Sequence, residues 1–179
     1  MYDFTVFLAY VYIVIMSFIL GRTIAGTCVR TVCDNSMEPT LPKWSRVFMM
    51  PLIFWPRRGD IVGIRRLYSK GWSIRRIIGV PGDIVELGRN HVYINGIELD
   101  EPYLENLDVF YRPFRWELKA GQYIVLADNR RESFDSRIYG PVYRKEIRCR
   151  MWWRINEESD GPTGYAPLKH QYTRPAAKI

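Results

Sequence analysis

The side chains best suited to metal, redox or acid–base chemistry are few in this sequence. Its 179 residues include three cysteines, Cys28, Cys33 and Cys149, an odd number without a CxxC pair. Neither a disulfide framework nor a zinc site is indicated, although Cys28 and Cys33 could pair in an oxidising compartment. The two histidines, His91 and His170, lie far apart in the sequence, in polar stretches typical of surface residues. We therefore expect no metal site and no cofactor.

Three other segments combine hydroxyl, acidic, amide and basic side chains with turn-forming residues. They are residues 35–41 (NSMEPTL), 75–83 (RRIIGVPGD) and 128–137 (DNRRESFDSR). A serine hydroxyl such as that of the first segment is a weak nucleophile until a neighbouring base takes its proton. The tripeptide Pro81-Gly82-Asp83 predicts a tight turn without chemistry. The polar residues of 128–137 could likewise be only a hydrogen-bonded turn.

The bulk composition favours one folded domain that touches an anionic surface. With 47% hydrophobic and 25% charged residues, the chain can bury a core, which excludes general disorder. The net charge of +7 favours contact with lipid headgroups or nucleic acid, and charge alone does not choose between them.

An uncharged run at 4–20, about 17 residues long, would span about 26 Å as a helix, just enough to cross a membrane. A cleaved signal peptide and a buried core helix are the alternatives. A signal peptide normally opens with Lys or Arg, whereas this chain has Asp3, and no A-x-A pattern follows. We predict a retained anchor over 1–22. Arg22 and Arg30 follow the run, so the positive-inside rule would leave the domain cytoplasmic. Long domains can override that rule, so these charges leave the orientation open.

The rest of the chain is predicted to be mainly β-sheet. Gly and Pro recur about every ten residues, and the runs between them are rich in β-branched and aromatic residues. Asn95-Gly96 predicts a hairpin turn, and a few helical residues are expected after Ser36. The predicted strands are 46–50, 60–66, 73–80, 84–87, 91–94 and 122–127.

The segment 47–55 (VFMMPLIFW) is apolar nearly throughout and is bounded by arginines. It is either a core strand pair or a loop that dips into the bilayer. The polar, aperiodic stretch 156–179 is predicted to be a loose C-terminal tail, which leaves 23–155 as the folded domain.

Taken together and in this order, the three polar segments resemble type I signal peptidases, the serine proteases that remove signal peptides at the membrane surface. The phrases RRGDIV at 57–62 and NGIELDEPYL at 95–104 extend the resemblance over roughly 31–142. It implies a coiled β-sheet domain on an N-terminal transmembrane helix, with a Ser–Lys dyad for catalysis.

The resemblance also implies roles for individual residues. Ser36 corresponds to the nucleophile, and its backbone N–H would contribute to the oxyanion hole. Ser133 corresponds to the serine that orients the base, and Asp135 and Arg137 to a supporting ion pair. Asp128 belongs to the same supporting segment. The residues expected to contact the substrate are Met37 and Pro39.

One departure from the family pattern is serious, because the general-base lysine falls on Arg75. A guanidinium stays protonated and offers no lone pair, so Arg75 cannot take the serine proton near neutral pH. Lys70 could fold into the site, although YSKGW predicts a hairpin turn. Other candidate bases are His91, Asp34 and Asp128.

Asp34 is a second departure, because members of the family carry serine or glycine at this position. A carboxylate that pointed inward would repel an oxyanion, so we expect Asp34 to point away.

Two functions follow from the resemblance. The first is a membrane-anchored serine endopeptidase that removes signal peptides from preproteins and cleaves after small residues, with its domain on the non-cytoplasmic side. The second is a catalytically silent homologue that binds an active peptidase as an accessory subunit. The expected partners are preproteins and membrane lipid and, for the second function, that active subunit. A self-cleaving repressor is disfavoured because the sequence lacks a DNA-binding helical unit, and nucleic acid is not an expected partner.

Overall fold

The structure, a computed structural model, describes residues 2–51, 55–65, 71–88, 91–104, 113–131 and 134–155. Its helices are α1 (Tyr2–Gly26), α2 (Ser136–Tyr139) and a 3₁₀ turn at Arg144–Glu146. Its strands are β1 (Cys28–Thr31), β2 (Arg46–Pro51), β3 (Ile61–Ile64), β4 (Ser73–Gly79), β5 (Ile84–Leu87), β6 (Val92–Ile94), β7 (Ile97–Glu98), β8 (Phe114–Glu117), β9 (Gln122–Leu126), β10 (Val142–Tyr143) and β11 (Ile147–Ile155).

Helix α1 carries apolar side chains on all sides and buries almost none of them. Over Phe4–Gly21 the mean hydropathy is 2.3, and no residue of that window is buried in the protein. A helix that is apolar all round needs an apolar environment, which here the protein itself does not provide. By length and composition α1 can cross a membrane. The predicted anchor ended at residue 22, whereas the helix continues to Gly26.

The strands form two antiparallel sheets. The larger has seven strands in the order β1-β2-β11-β3-β4-β9-β10, and the smaller has four in the order β7-β6-β5-β8. A cluster of buried aliphatic residues from β4, β5, β6 and β9 packs the two sheets together. At Gly79, a Cβ atom would lie 2.5 Å from Val85 Cγ2 and 2.8 Å from Leu118 Cδ1, so only glycine lets these segments approach.

The mainly β prediction is confirmed. The predicted strand 84–87 matches β5, and four others differ from β2, β4, β6 and β9 by one residue at one end. The predicted strand 60–66 contains β3 (Ile61–Ile64), and its residue 66 lies outside the described part. The Asn95-Gly96 hairpin is confirmed, with positive φ at both residues. Of the two readings of 47–55, the core strand is confirmed for 47–51, and residues 52–54 lie outside the described part. The helix expected after Ser36 is wrong, because 36–40 form a turn.

Strand β4 has the greatest bearing on the site. Adjacent side chains of a strand point to opposite faces, so the neighbours Arg75 and Arg76 leave β4 on different sides. Their Cα partners in β3 are Val62 and Ile61. Both arginines are buried, and each therefore needs its own partners.

Candidate active site

Ser36 lies in the long loop that connects β1 to β2. The pairing of these strands and the Val32 N–H bond to Ser45 O, 2.9 Å, close the base of the loop. Inside the loop, Val32, Met37 and Leu41 are buried in one core cluster. Burial of the residue next to Ser36 fixes the position of the serine, because a side chain in a packed core has little room to move.

The two residues predicted to contact substrate are placed differently. Met37 is 0% exposed, so neither its side chain nor its backbone is accessible to a substrate in this structure, whereas Pro39 is exposed. Their substrate contact stays a prediction.

The Ser36 hydroxyl lies between a carboxylate and a guanidinium. Its O–H donates to Asp34 Oδ1 at 2.5 Å, and Arg75 Nη1 donates to Ser36 Oγ at 2.8 Å. Both bonds have one ionised partner, and such bonds are stronger than those between neutral groups. The hydroxyl therefore has a defined acceptor for its proton and a defined cation beside its oxygen.

The expectation that Asp34 points away is wrong. Its Oδ1 accepts both the Ser36 hydroxyl and, at 3.1 Å, the Ser36 backbone N–H. An aspartate commonly accepts the N–H two residues on, and this local turn directs the carboxylate inward. The same N–H was predicted for the oxyanion hole, so Asp34 and an oxyanion would compete for it.

Arg75 reaches the position expected for the base but is surrounded by neutral acceptors. Its Nη1 also donates to Ile74 O at 2.6 Å, and its Nη2 donates to Phe134 O at 3.1 Å. The side chain is buried, and its Nε has no hydrogen-bond partner among the described residues. In the described part of the chain, no carboxylate lies within ion-pair distance of Arg75, although Asp34 is connected to it through the Ser36 hydroxyl.

Arg76, on the other side of β4, forms a buried ion pair with Asp128. Its Nε donates to Oδ1 at 2.8 Å and its Nη2 to Oδ2 at 2.5 Å. The Thr40 hydroxyl donates to the same carboxylate at 2.6 Å, and the Tyr103 ring lies 3.9 Å from the guanidinium carbon. This network connects the Ser36 loop to β4 and to the segment that begins at Asp128.

The segment 128–137 contacts the Ser36 loop directly. The Asn129 N–H donates to Ser36 O at 2.9 Å, and its side-chain amide donates to Asn35 O at 3.2 Å. Phe134 supplies the carbonyl that accepts from Arg75. The structure thus brings the three polar segments of the sequence together. Ser133, the predicted orienting serine, lies outside the described residues.

Asp135 and Arg137 form the predicted ion pair, and it supports the backbone around the site. Two parallel bonds of 2.8 Å join the side chains, while the Ala127 N–H donates to Asp135 Oδ2 at 3.1 Å. Arg137 Nη1 also donates to Arg130 O at 2.7 Å. Burial alone would raise the pKa of Asp135, but the bonds and charge of Arg137 outweigh it and lower that pKa.

This lowered pKa predicts loss of stability in acid. Because the unfolded carboxyl binds protons first, the contribution of Asp135 is complete above about pH 4 and falls as the pH drops further. Asp135→Asn should lower the free energy of unfolding at neutral pH by about 1–3 kcal/mol and flatten this acid dependence. Urea unfolding at neutral and acid pH measures the free energy of unfolding and its dependence on pH. The control is Glu117→Gln, which changes an exposed carboxylate. An unchanged acid dependence in Asp135→Asn would contradict the prediction.

The other candidate bases have different surroundings. His91 pairs with Glu98 at 2.7 Å on the smaller sheet, and Asp128 is committed to Arg76 and Thr40. Lys70 and His170 lie outside the described residues. All three cysteines are free, and the described residues contain no cluster suited to a metal ion.

Sequence reasoning missed a buried network next to the site. Tyr103 donates to Glu101 at 2.5 Å, and Glu101 forms an ion pair with the buried Arg130. Burial first, and then the Glu101 charge, raise the pKa of Tyr103 well above its usual range, which keeps the phenol a donor. The adjacent arginines of β4 indicated buried acceptors on both faces of that strand, but they did not indicate the Glu101–Arg130 pair.

Comparison with known proteins matches this arrangement to one family. The family model described as "Signal peptidase, peptidase S26" matches residues 4–155. The probable signal peptidase I-2 of Synechocystis sp. (strain ATCC 27184 / PCC 6803 / Kazusa) is 36% identical over 136 residues, covering 70% of this chain and 62% of its own length. The signal peptidase I of Leptolyngbya laminosa is 32% identical over 144 residues, covering 71% of this chain and 69% of its own.

A solved structure of a signal peptidase I from Enterococcus faecalis V583 is 30% identical, with a TM-score of 0.47, and the match covers 53% of this chain and 95% of that one. The chain spans only about 62% of the Synechocystis relative. The family model matches residues 4–155, which include nearly all the described residues, and this extent shows the family membership. The chain belongs to the signal peptidase family, peptidase S26.

Proposed function

We propose that the chain is a membrane-anchored serine endopeptidase that removes signal peptides from preproteins and cleaves after small residues. The observation that carries the proposal is the contact of Ser36 Oγ with a carboxylate at 2.5 Å and a guanidinium at 2.8 Å. A hydroxyl whose proton has an acceptor and whose oxygen has a neighbouring cation is arranged as a nucleophile. The relatives named as signal peptidases give the substrate class.

The membrane part of the proposal rests on α1 and on exposed aromatic residues. Helix α1 is long and apolar enough to span a bilayer. Tryptophan favours the boundary between membrane and water, because its ring is apolar and its N–H is polar. Several tryptophans of the β domain are exposed, which supports membrane lipid as a partner: Trp44, Trp55, Trp152 and Trp153.

Strand β1 supports a mode of substrate binding. It lies at the edge of the larger sheet and leads directly into the Ser36 loop. An extended substrate could add to such an edge through backbone hydrogen bonds, which give affinity with little sequence preference.

A second function is favoured by Arg75. Arg75 Nη1 contacts Ser36 Oγ, and the family resemblance assigns this position to the base. A protonated guanidinium there suits a silent homologue that binds an active peptidase as an accessory subunit. The two functions share the fold and differ only in whether Ser36 loses its proton.

The test is cleavage of a preprotein with an Ala-x-Ala site by the full-length chain in detergent micelles. The native chain, Ser36→Ala and Arg75→Lys are compared, with a Ser–Lys signal peptidase as positive control. Cleavage by the native chain but not by Ser36→Ala supports the peptidase. Cleavage by Arg75→Lys alone contradicts it and supports the accessory subunit.

We further propose that the β domain lies on the non-cytoplasmic side. Cys33 is an exposed thiol, whereas burial, followed by the nearby Cys28, raises the pKa of Cys149 to about 11 and suppresses its reactivity. A membrane-impermeant maleimide should therefore label intact cells that express the native chain, and label Cys33→Ala much less. Labelling that requires membrane permeabilisation would place the domain in the cytoplasm.

A further inference from the structure

We infer that Asp34 is the general base of this site and that Arg75 stabilises the negative charge that forms on Ser36 and on the substrate. The inference rests on the proposed peptidase function and specifies how it works without a lysine base. It exchanges the roles found in a Ser–Lys dyad: the cation keeps its place but no longer takes the proton, and a carboxylate two residues before the serine does so.

The geometry of Asp34 meets the first requirement of a general base. A base must lie within hydrogen-bond distance of the proton it removes, and Oδ1 lies 2.5 Å from Ser36 Oγ. Its bond to the Ser36 N–H, at 3.1 Å, holds the carboxylate in that position. Asp34 itself is exposed to solvent, so it can exchange a proton with water between turnovers.

The burial of Arg75 favours the loss of the Ser36 proton. A buried cation without a carboxylate partner is costly, and among the described residues all the acceptors of this guanidinium are neutral oxygens. When Ser36 loses its proton, the alkoxide becomes the missing anionic partner at the distance already present. The cation therefore favours the ionised serine, which is the reactive form.

Arg75 also provides donors for the tetrahedral intermediate. Its Nη1 N–H points to Ser36 Oγ, and the substrate oxyanion would be bonded to the same carbon as that oxygen. Its Nε–H is buried without a hydrogen-bond partner among the described residues, so the described residues do not use all the donors of this guanidinium. Such donors compensate for a Ser36 N–H that is occupied by Asp34.

Ser36, Asp34, Arg75 and one water molecule account for every proton transfer and bond change of the hydrolysis. As Ser36 Oγ bonds to the scissile carbonyl carbon, its proton passes to Asp34 and the carbonyl electron pair moves to oxygen beside Arg75. Collapse breaks the C–N bond, and the proton on Asp34 passes to the leaving amine, which leaves an acyl-serine. Water then attacks the ester, gives its proton to Asp34, and the carboxylic product leaves as Ser36 recovers that proton.

The test is the pH dependence of preprotein cleavage in detergent micelles by the native chain, Asp34→Asn and Arg75→Met. The native rate should change little with pH, because the proposed base, unlike an ammonium group, has no proton to lose before it acts. Asp34→Asn keeps the shape and the bond to the Ser36 N–H, yet should be about 10²- to 10⁴-fold slower. Its residual rate should rise with pH, since hydroxide must replace the base. Arg75→Met should lose about 10²- to 10³-fold.

The control is Asp100→Asn, which removes an exposed carboxylate outside the site and should change the rate by no more than about twofold. Thermal unfolding of each variant confirms that it is folded. Native-like cleavage by Asp34→Asn, with a flat profile, would overturn the inference and leave the peptidase standing. A silent native chain beside an active Arg75→Lys would overturn the proposed function, and the inference with it.

Discussion

Replacing Ser36 by alanine is expected to lower the rate of preprotein cleavage by about 10⁴- to 10⁶-fold. Losses of this size occur when a serine and its base act as a unit, because the remaining groups cannot replace the covalent step. The alanine removes both bonds of the hydroxyl, to Asp34 and to Arg75. Single-turnover cleavage with excess enzyme measures the chemical step directly.

Ser45→Ala is the matched control for this change. Ser45 lies at the other end of the same loop, and its hydroxyl donates to Pro42 O at 2.6 Å. This variant should cleave at close to the native rate. If Ser36→Ala and Ser45→Ala cleave equally well, Ser36 is not the nucleophile and the peptidase proposal fails.

Arg76→Met is expected to lower the free energy of unfolding by about 3–5 kcal/mol. Removal of one member of a buried ion pair leaves the other charge uncompensated, and the side chains of Arg76 and Asp128 are only 2% and 0% exposed. The Thr40 hydroxyl would remain as a neutral donor to Asp128. Urea unfolding of the full chain in micelles, followed by tryptophan fluorescence, gives the difference in free energy.

The double variant Arg76→Met/Asp128→Leu separates the lost charge from lost packing. It removes both ions and should recover much of the stability, because two buried charges are replaced by apolar groups. Arg115→Met breaks an exposed pair with Glu86 and should cost at most about 1 kcal/mol. An Arg76→Met variant no less stable than Arg115→Met would mean that the buried pair does not support the domain.

Strands were predicted correctly where the sequence shows short runs rich in apolar residues between turn-forming residues. Residues 84–87 alternate in burial and lie between a Pro-Gly-Asp turn and a glycine, so both ends were defined. Strand β8 (FRWE) was missed because it is short and mostly exposed. Strand β11 was missed although Ile147, Cys149 and Met151 alternate with arginines and are buried. The two adjacent tryptophans, Trp152 and Trp153, interrupt this alternation of apolar and polar residues in the sequence.

For the site, the sequence indicated which segments meet but not how their charges are arranged. The family pattern pointed to Ser36, Arg75 and the 128–137 segment, and these contact one another in the structure. The orientation of Asp34 was predicted wrongly because repulsion of an oxyanion was weighed and the local bond to the Ser36 N–H was not. The Arg76–Asp128 pair joins residues 52 positions apart, a contact that only the folded sheet defines.

Arg75 and Arg76 leave β4 on opposite sides, so different requirements act on the two positions. Position 76 is constrained by folding, since its partners Asp128, Thr40 and Gly59 are structural. On the mechanism inferred above, position 75 is constrained by reactivity, and its contacts among the described residues are one hydroxyl and two backbone carbonyls. On that mechanism, position 75 can change between lysine and arginine, together with the proton acceptor, while the Arg76 network keeps the domain folded. The residues that transfer the proton could then change during evolution without an intermediate sequence that fails to fold.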